Sequence, residues 1–155
     1  AIPMAGGMMA DLIGLYRENW RAAGHAGDGQ VMLAFHMLCH DDGSRAAQIA
    51  REPMNRYLKS LVDGASHWLG GANSADYPGY DKIIASLKEE TFETQVEKGA
   101  AWVGEPAAII DTIKRYDEMI GGFEIASLQV NFNTVAVEDA ENSMRLFSER
   151  VMMEI

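Results

Sequence analysis

The feature that most restricts the fold is an uninterrupted apolar run, VMLAFHMLC, at residues 31–39. It is too short for a typical surface helix and lacks the polar positions that a half-exposed strand shows. Strands that helices bury on both faces have this pattern, and such strands belong to parallel sheets. We therefore expect a buried strand near 31–39 in an α/β fold.

A second strand is predicted near 124–133, because FEIASLQVNFN alternates between apolar and polar residues. The apolar face would carry Ala126, Leu128, Val130 and Phe132, and the polar face Ser127, Gln129, Asn131 and Asn133. Segments with helical spacing separate the two strands, and no tight hairpin joins them. This arrangement indicates parallel pairing through a right-handed crossover.

The connections follow from turn and cap residues. A helix is expected to run from the Asp-rich turn after Cys39 to Gly64, kinked or split by Pro53. Residues 64–80 contain Gly, Asn, Ser and Pro, and we expect a long loop there. Its aromatic residues either close over a planar ligand or pin an insertion to the surface.

The second half of the chain contains two further amphipathic helices. Pro106 suits the first turn of one helix, and Gly121 with Gly122 should end it. The last helix has acidic residues at its start and an apolar stripe that ends near Val151. Shorter helices are expected between residues 81 and 99.

Composition narrows the class of protein. The 155 residues suit one domain, 1–155, and 13 basic against 23 acidic residues give a net charge of −10. That charge argues against nucleic acid or an anionic membrane as a partner. No apolar run approaches membrane-spanning length, so we expect a cytoplasmic protein. The lone cysteine, Cys39, cannot form an internal disulfide, and no Cys/His spacing indicates a metal site.

Four segments resemble one family in their order and spacing. They are YRENWRAAGH at 16–25, WVGEPAAIIDTIKRY at 102–116, GGFEIASLQVNFN at 121–133 and SMRLFSERVM at 143–152. Together they resemble the C-terminal half of the luciferase-like flavin-dependent monooxygenases, in which a Gly-x-Pro opens a helix before the last barrel strand.

The resemblance implies a partial (β/α)8 TIM-barrel-like unit, with parallel strands and flanking helices. It also implies reduced flavin, FMN rather than F420, as cosubstrate, O2 as oxidant and a small organic substrate. A complete barrel needs about 250 residues and eight strands. This chain resembles only the part that holds the last two strands, so its activity alone is in question.

Two histidines on the first strand are candidate site residues. Met32, Ala34, His36, Leu38 and His40 would share one strand face. If that face is inward, His36 is the candidate for proton transfer and His40 for cofactor or substrate binding. The alternative makes His36 a core histidine and His40 a solvated loop residue. Cys39 would face the helices as an inert thiol.

Amides on the second strand are the other candidates. In a barrel Gln129 and Asn131 would point inward, near the C-terminal strand ends where active sites form. They would bind either the flavin ring or the substrate, or else join a structural polar network. Buried amides in either role need hydrogen-bond partners.

The predicted function is thus a luciferase-like monooxygenase, of which this chain forms the C-terminal portion. The alternative is a noncatalytic α/β module that self-associates or docks on a partner through exposed sheet edges, because two strands leave unpaired backbone on both sides. Either version predicts a homo-oligomer or association with a missing barrel half.

Overall fold

The computed structural model describes the backbone of residues 6–69 and 85–155 and the side chains of residues 8–66 and 85–155. Residues 85–88 are helical. The longer elements of this part are, in chain order, α1 (Gly6–Ala22), β1 (Met32–Cys39), α2 (Gly43–Leu69), α3 (Phe92–Glu97), β2 (Ala101–Gly104), α4 (Pro106–Ile120), β3 (Ile125–Gln129) and α5 (Val137–Arg150).

The three described strands form a parallel sheet in the order β2-β1-β3. The predicted α/β class, with parallel strands and flanking helices, is therefore confirmed. β1 is the central strand, which accounts for its uniformly apolar sequence, since neighbours cover both of its edges and helices both of its faces. No helix in the described ranges is long and apolar enough to cross a bilayer.

The sequence interpretation missed β2. Its four residues pair with β1 from His36 opposite Ala101 to Cys39 opposite Gly104. Four residues are too few to show a period, and the flanking glycines and Pro106 resemble a connection. The described sheet consequently has three strands where the sequence predicted two.

β3 is shorter than predicted. It ends at Gln129, opposite His36, and the chain then turns, with Asn133 at a φ of 53°. The predicted alternation therefore fails after residue 129. Leu128 and Val130 are partly buried and pack, as predicted, against helices on one face of the sheet. Phe132 is instead buried in the core on the opposite face.

α2 is longer than predicted. It runs unbroken through Pro53 to Leu69, so Pro53 does not split it, and residues 64–69 of the predicted loop are helical. Residues 70–80 of that loop lie outside the described residues, as do the aromatic side chains that would form a lid. The buried apolar residues Met54 and Leu58 hold this helix against the sheet. Such packing can outweigh the loss of one helical hydrogen bond at proline.

The ends of α4 agree with the sequence interpretation. Pro106 occupies its first turn, where the missing N–H costs nothing. Gly121 ends it in the left-handed region, at a φ of 80°, and the N–H groups of Gly121 and Gly122 donate to carbonyls of the last turn. This cap turns the chain towards β3.

Two apolar cores lie on opposite faces of the sheet. α1, α4 and α5 cover one face, where Phe35 stacks on Trp102 at a ring-centroid distance of 4.1 Å. α2 and α3 cover the other face, where Leu38 and Ala101 meet Met54. In a closed barrel, helices cover only the outer face and strand side chains fill the interior. Here the face equivalent to that interior lies beneath α2.

Candidate functional site

His36 lies beneath α2 in an aromatic surrounding. Its side chain is 5% exposed, and its ring meets Tyr57 at 4.6 Å and Phe132 at 5.1 Å between centroids, both nearly edge to face. Its Nε2 is buried and has no hydrogen-bond partner in the part of the chain that is described. His36 is thus a core histidine with one nitrogen unsatisfied.

Burial lowers the pKa of His36 from 6.5 to about 4. The imidazole is therefore neutral at pH 7, because the rings around it offer no solvation for a cation. A neutral imidazole can accept or donate a hydrogen bond at Nε2, according to its tautomer. The geometry suits an exchange of one proton with a neutral group.

His40 lies beyond the end of β1 in a different environment. Its Nδ1 accepts a hydrogen bond from the Asp42 N–H at 2.9 Å, and its own backbone N–H donates to Gly104 at 3.0 Å. The first contact shapes the turn that starts α2. The structure therefore does not bring the two histidines together: His36 is in the core, and His40 lines a cleft.

That cleft has a volume of about 350 Å³ and lies at the C-terminal end of β1, between α2 and α5. Its charged lining residues are Asp41, Asp139, Glu149 and Arg145. Three carboxylates against one guanidinium repel a phosphate, and His40 is the sole ring in the described lining. The cleft therefore does not fit the phosphate of FMN.

The two amides are not in a buried network. Gln129 is opposite His36 in the β1–β3 pairing and so shares its sheet face, but it is exposed. Asn131 lies beyond the end of β3 and is exposed as well. The expectation of buried amides was wrong because β3 forms an edge of the described sheet and leaves these positions open to solvent.

Cys39 faces the α1, α4 and α5 core, as predicted. Burial, and then the nearby Asp41 carboxylate, raise its pKa to about 11, so it is a thiol at neutral pH. Its N–H donates to the Ser143 Oγ at 2.7 Å, which links β1 to α5. Among the residues described, no three His, Cys, Asp or Glu side chains cluster as a metal ion would require.

The sequence interpretation missed the two rings around His36. Tyr57 follows the apolar stripe of α2 that includes Ala46, Ala50 and Met54, so helical spacing from the buried alanines could have identified it. Phe132 could not be found in this way, since its position depends on where β3 ends.

The comparisons with known proteins agree with this fold. No family model and no curated protein matches the chain. Monooxygenase RslO1 from Streptomyces bottropensis is 22% identical, with a TM-score of 0.65 over 96% of this chain. The oxygenating constituent of 3,6-diketocamphane monooxygenase from the Pseudomonas putida CAM plasmid is 21% identical, with a TM-score of 0.68 over 99% of this chain. That type II Baeyer-Villiger monooxygenase was solved in complex with FMN.

These structural neighbours are luciferase-like flavin monooxygenases with TIM-barrel-like folds, which confirms the predicted resemblance at the level of the fold. The chain spans 38% and 41% of the lengths of the two neighbours. It therefore has the fold of part of such a protein.

Proposed function

We propose that this chain is part of a luciferase-like monooxygenase, an oxidoreductase that uses reduced flavin and O2 on a small organic substrate. The observation that carries the proposal is the match of almost all of this chain to two monooxygenases, one of them with FMN. The four sequence segments that resemble the family support it independently. FMN is the proposed cofactor.

Flavin chemistry needs a site that this chain does not complete in its described residues. The cleft at the C-terminal end of β1 is lined by three carboxylates and one guanidinium, so it does not suit the flavin phosphate. We therefore derive no chemical step through the flavin. In this proposal the remaining flavin contacts come from other strands of a complete barrel, whether in a longer polypeptide or in a second chain.

His36 is the proposed catalytic residue. Its unpartnered Nε2 lies on the sheet face that corresponds to a barrel interior, and its low pKa keeps the ring neutral at pH 7. In this role it would hold or pass one proton at Nε2 once Phe132 or Tyr57 moves aside for a substrate. Because the imidazole of His36 is neutral, it needs no nearby countercharge, and this suits a substrate without charge.

Gln129, Asn131 and His40 are the proposed binding residues. Gln129 lies beside His36 across the strand pairing, and Asn131 follows within two residues. Both side chains are exposed and so have amide groups available to a planar polar ring. His40 would bind a substrate through Nε2, since Nδ1 accepts the Asp42 N–H.

Flavin titration of the purified chain tests the proposal. We expect FMN and riboflavin to bind equally and weakly, with dissociation constants on the order of 100 µM, because the described residues at the strand ends offer ring contacts and their cleft does not fit a phosphate. Gln129→Ala should weaken both by about fivefold, the loss of one hydrogen bond. Gln48→Ala, at an exposed position on α2, is the matched control. A folded chain that quenches neither flavin at about 1 mM would contradict the proposal.

A further inference from the structure

The unpaired Nε2 of His36 lies in a core that two aromatic rings close. His36 is 5% exposed, and the rings of Tyr57 and Phe132 meet its imidazole at 4.6 and 5.1 Å between centroids. A buried polar atom without a hydrogen-bond partner costs free energy, so such an atom in a folded protein calls for an explanation. A ligand that pairs with Nε2 in a second state of the core is one explanation.

The two rings differ in how completely they are buried. Phe132 is 3% exposed in the core beneath α2, so moving its ring would bring a fully buried side chain into water. Tyr57 packs only partly against that core, and its neighbours Arg56 and Lys59 are exposed. Side chains with access to solvent change rotamer quickly. Tyr57 is therefore the ring that can move while the rest of this core stays packed.

The space that Tyr57 would leave has a defined size and chemistry. A tyrosine side chain beyond Cβ is a phenol, so its displacement makes room for one ring of that size. Phe132 remains as an aromatic wall, and Nε2 of His36 is the polar group. Burial lowers the pKa of His36 to about 4, and no charge of the described residues contributes to this shift. A charged ligand would lose its water there without gaining a countercharge, so the space suits a neutral one.

We propose that Tyr57 is a gate: its ring rotates away from His36, and a neutral ring-shaped ligand with a hydroxyl or carbonyl group takes its place and hydrogen-bonds to Nε2. The inference deepens the proposed function and rests on it for the role of this ligand as the organic substrate. A neutral imidazole suits either group, because Nε2 accepts from a hydroxyl in one tautomer and donates to a carbonyl in the other. Tyr57 would thereby limit the ligand to the size of its own ring.

Carbethoxylation by diethyl pyrocarbonate, located by fragment mass spectrometry, measures how often the imidazole of His36 is accessible. At pH 7 we expect His36 to react at least about tenfold more slowly than the exposed His25, through a local opening. Its rate should stay within about twofold up to about 1 M urea, whereas access through global unfolding would raise it about tenfold or more. A rise of that size, or no reaction in the folded chain, would overturn the gate. This series uses the wild type and does not depend on any variant folding.

Variants at position 57 separate the gate from a general loosening of the core. Tyr57→Ala should raise the rate at His36 at least about tenfold, because the closing ring is gone. Tyr57→Phe keeps the ring and should react like the wild type. Leu58→Ala removes the neighbouring side chain of α2, which is 6% exposed, and controls for lost stability. Its rate should stay within about twofold of the wild type. Equal rates in Tyr57→Ala and Leu58→Ala would refute a specific role of Tyr57.

Phenol and benzene test the ligand, since both have the size of one ring and only phenol can pair with Nε2. In two-dimensional NMR titrations of Tyr57→Ala, we expect phenol to bind about tenfold more tightly than benzene, the gain of one hydrogen bond to a buried group. Adding His36→Phe should abolish this preference. Equal affinities in Tyr57→Ala, a preference that survives His36→Phe, or no binding of either compound by the folded variant would contradict the assigned ligand. No flavin is present in these experiments, so their failure is distinct from a failure of the flavin titration.

Discussion

Protonation of His36 should destabilise the fold in mildly acidic solution. The pKa is about 4 in the folded chain against an ordinary 6.5, so the folded state favours the neutral ring. The unfolded chain binds a proton first as the pH falls, and stability is lost between pH 6.5 and pH 4. Above pH 6.5 the contribution is fully present.

The size of the effect follows from the shift in pKa. A difference of about 2.5 pH units corresponds to about 3 kcal/mol between the two protonation states. By linkage, the free energy of unfolding should fall by about 2 kcal/mol from pH 7 to pH 5, and by about 3 kcal/mol at pH 4. The side chain is 5% exposed, so solvent screening reduces this little.

Urea unfolding at pH 7, 6, 5 and 4 measures the loss, with His36→Phe as the reference. The phenyl ring keeps the contacts with Tyr57 and Phe132 but cannot be protonated. Carboxylates titrate equally in both proteins, so the difference between them isolates His36. At pH 7 the variant should be as stable as the wild type or about 1 kcal/mol more stable, since an unpaired buried nitrogen is removed. Identical pH dependence in both proteins would refute the burial of a neutral imidazole.

Two further changes test the core beneath α1, α4 and α5 and the hydrogen-bond network around Glu90. Trp102→Ala should lower the free energy of unfolding by about 4 kcal/mol, since the ring is 1% exposed and stacks on Phe35. A loss below about 1 kcal/mol in urea titration would contradict the packing of Trp102 in the core beneath α1, α4 and α5. Glu90→Gln should cost about 2 kcal/mol at pH 7, because the carboxylate accepts from Lys98 at 2.6 Å, Thr94 at 2.7 Å and Gln95 at 2.9 Å. Burial raises the pKa of Glu90, but the hydrogen bonds from Lys98, Thr94 and Gln95 outweigh burial and hold the pKa below its usual range. The loss of stability in Glu90→Gln should therefore shrink in acid, where the wild-type carboxylate is protonated. A loss of stability that is the same in acid would contradict this network.

Local sequence patterns correctly predicted the elements whose own residues determine their conformation. The apolar run of β1 identified the central strand, and Pro106 with Gly121 bounded α4, because proline and glycine act through their own backbone. The four segments pointed to the fold of the structural neighbours even though identity to them is near 20%. Order and spacing therefore carried more information here than any single motif.

Features set by tertiary contacts could not be predicted. Four residues of β2 become a strand because β1 offers them a partner, and Pro53 stays helical because Met54 and Leu58 are buried. The alternation in FEIASLQVNFN continues past residue 129, but pairing with β1 stops there. As a result Phe132 lies against the ring of His36, and Asn131 is exposed beyond the end of β3.

Two-dimensional NMR of the chain titrated with FMN tests the central claim most directly, namely that the site lies at the C-terminal ends of β1 and β3. Parallel strands place their functional groups at this end. We predict shifts at Gln129, Asn131 and His40, with the amides of α1 and α4 unchanged. Shifts confined to α1 and α4, or none in a folded chain, would contradict the account.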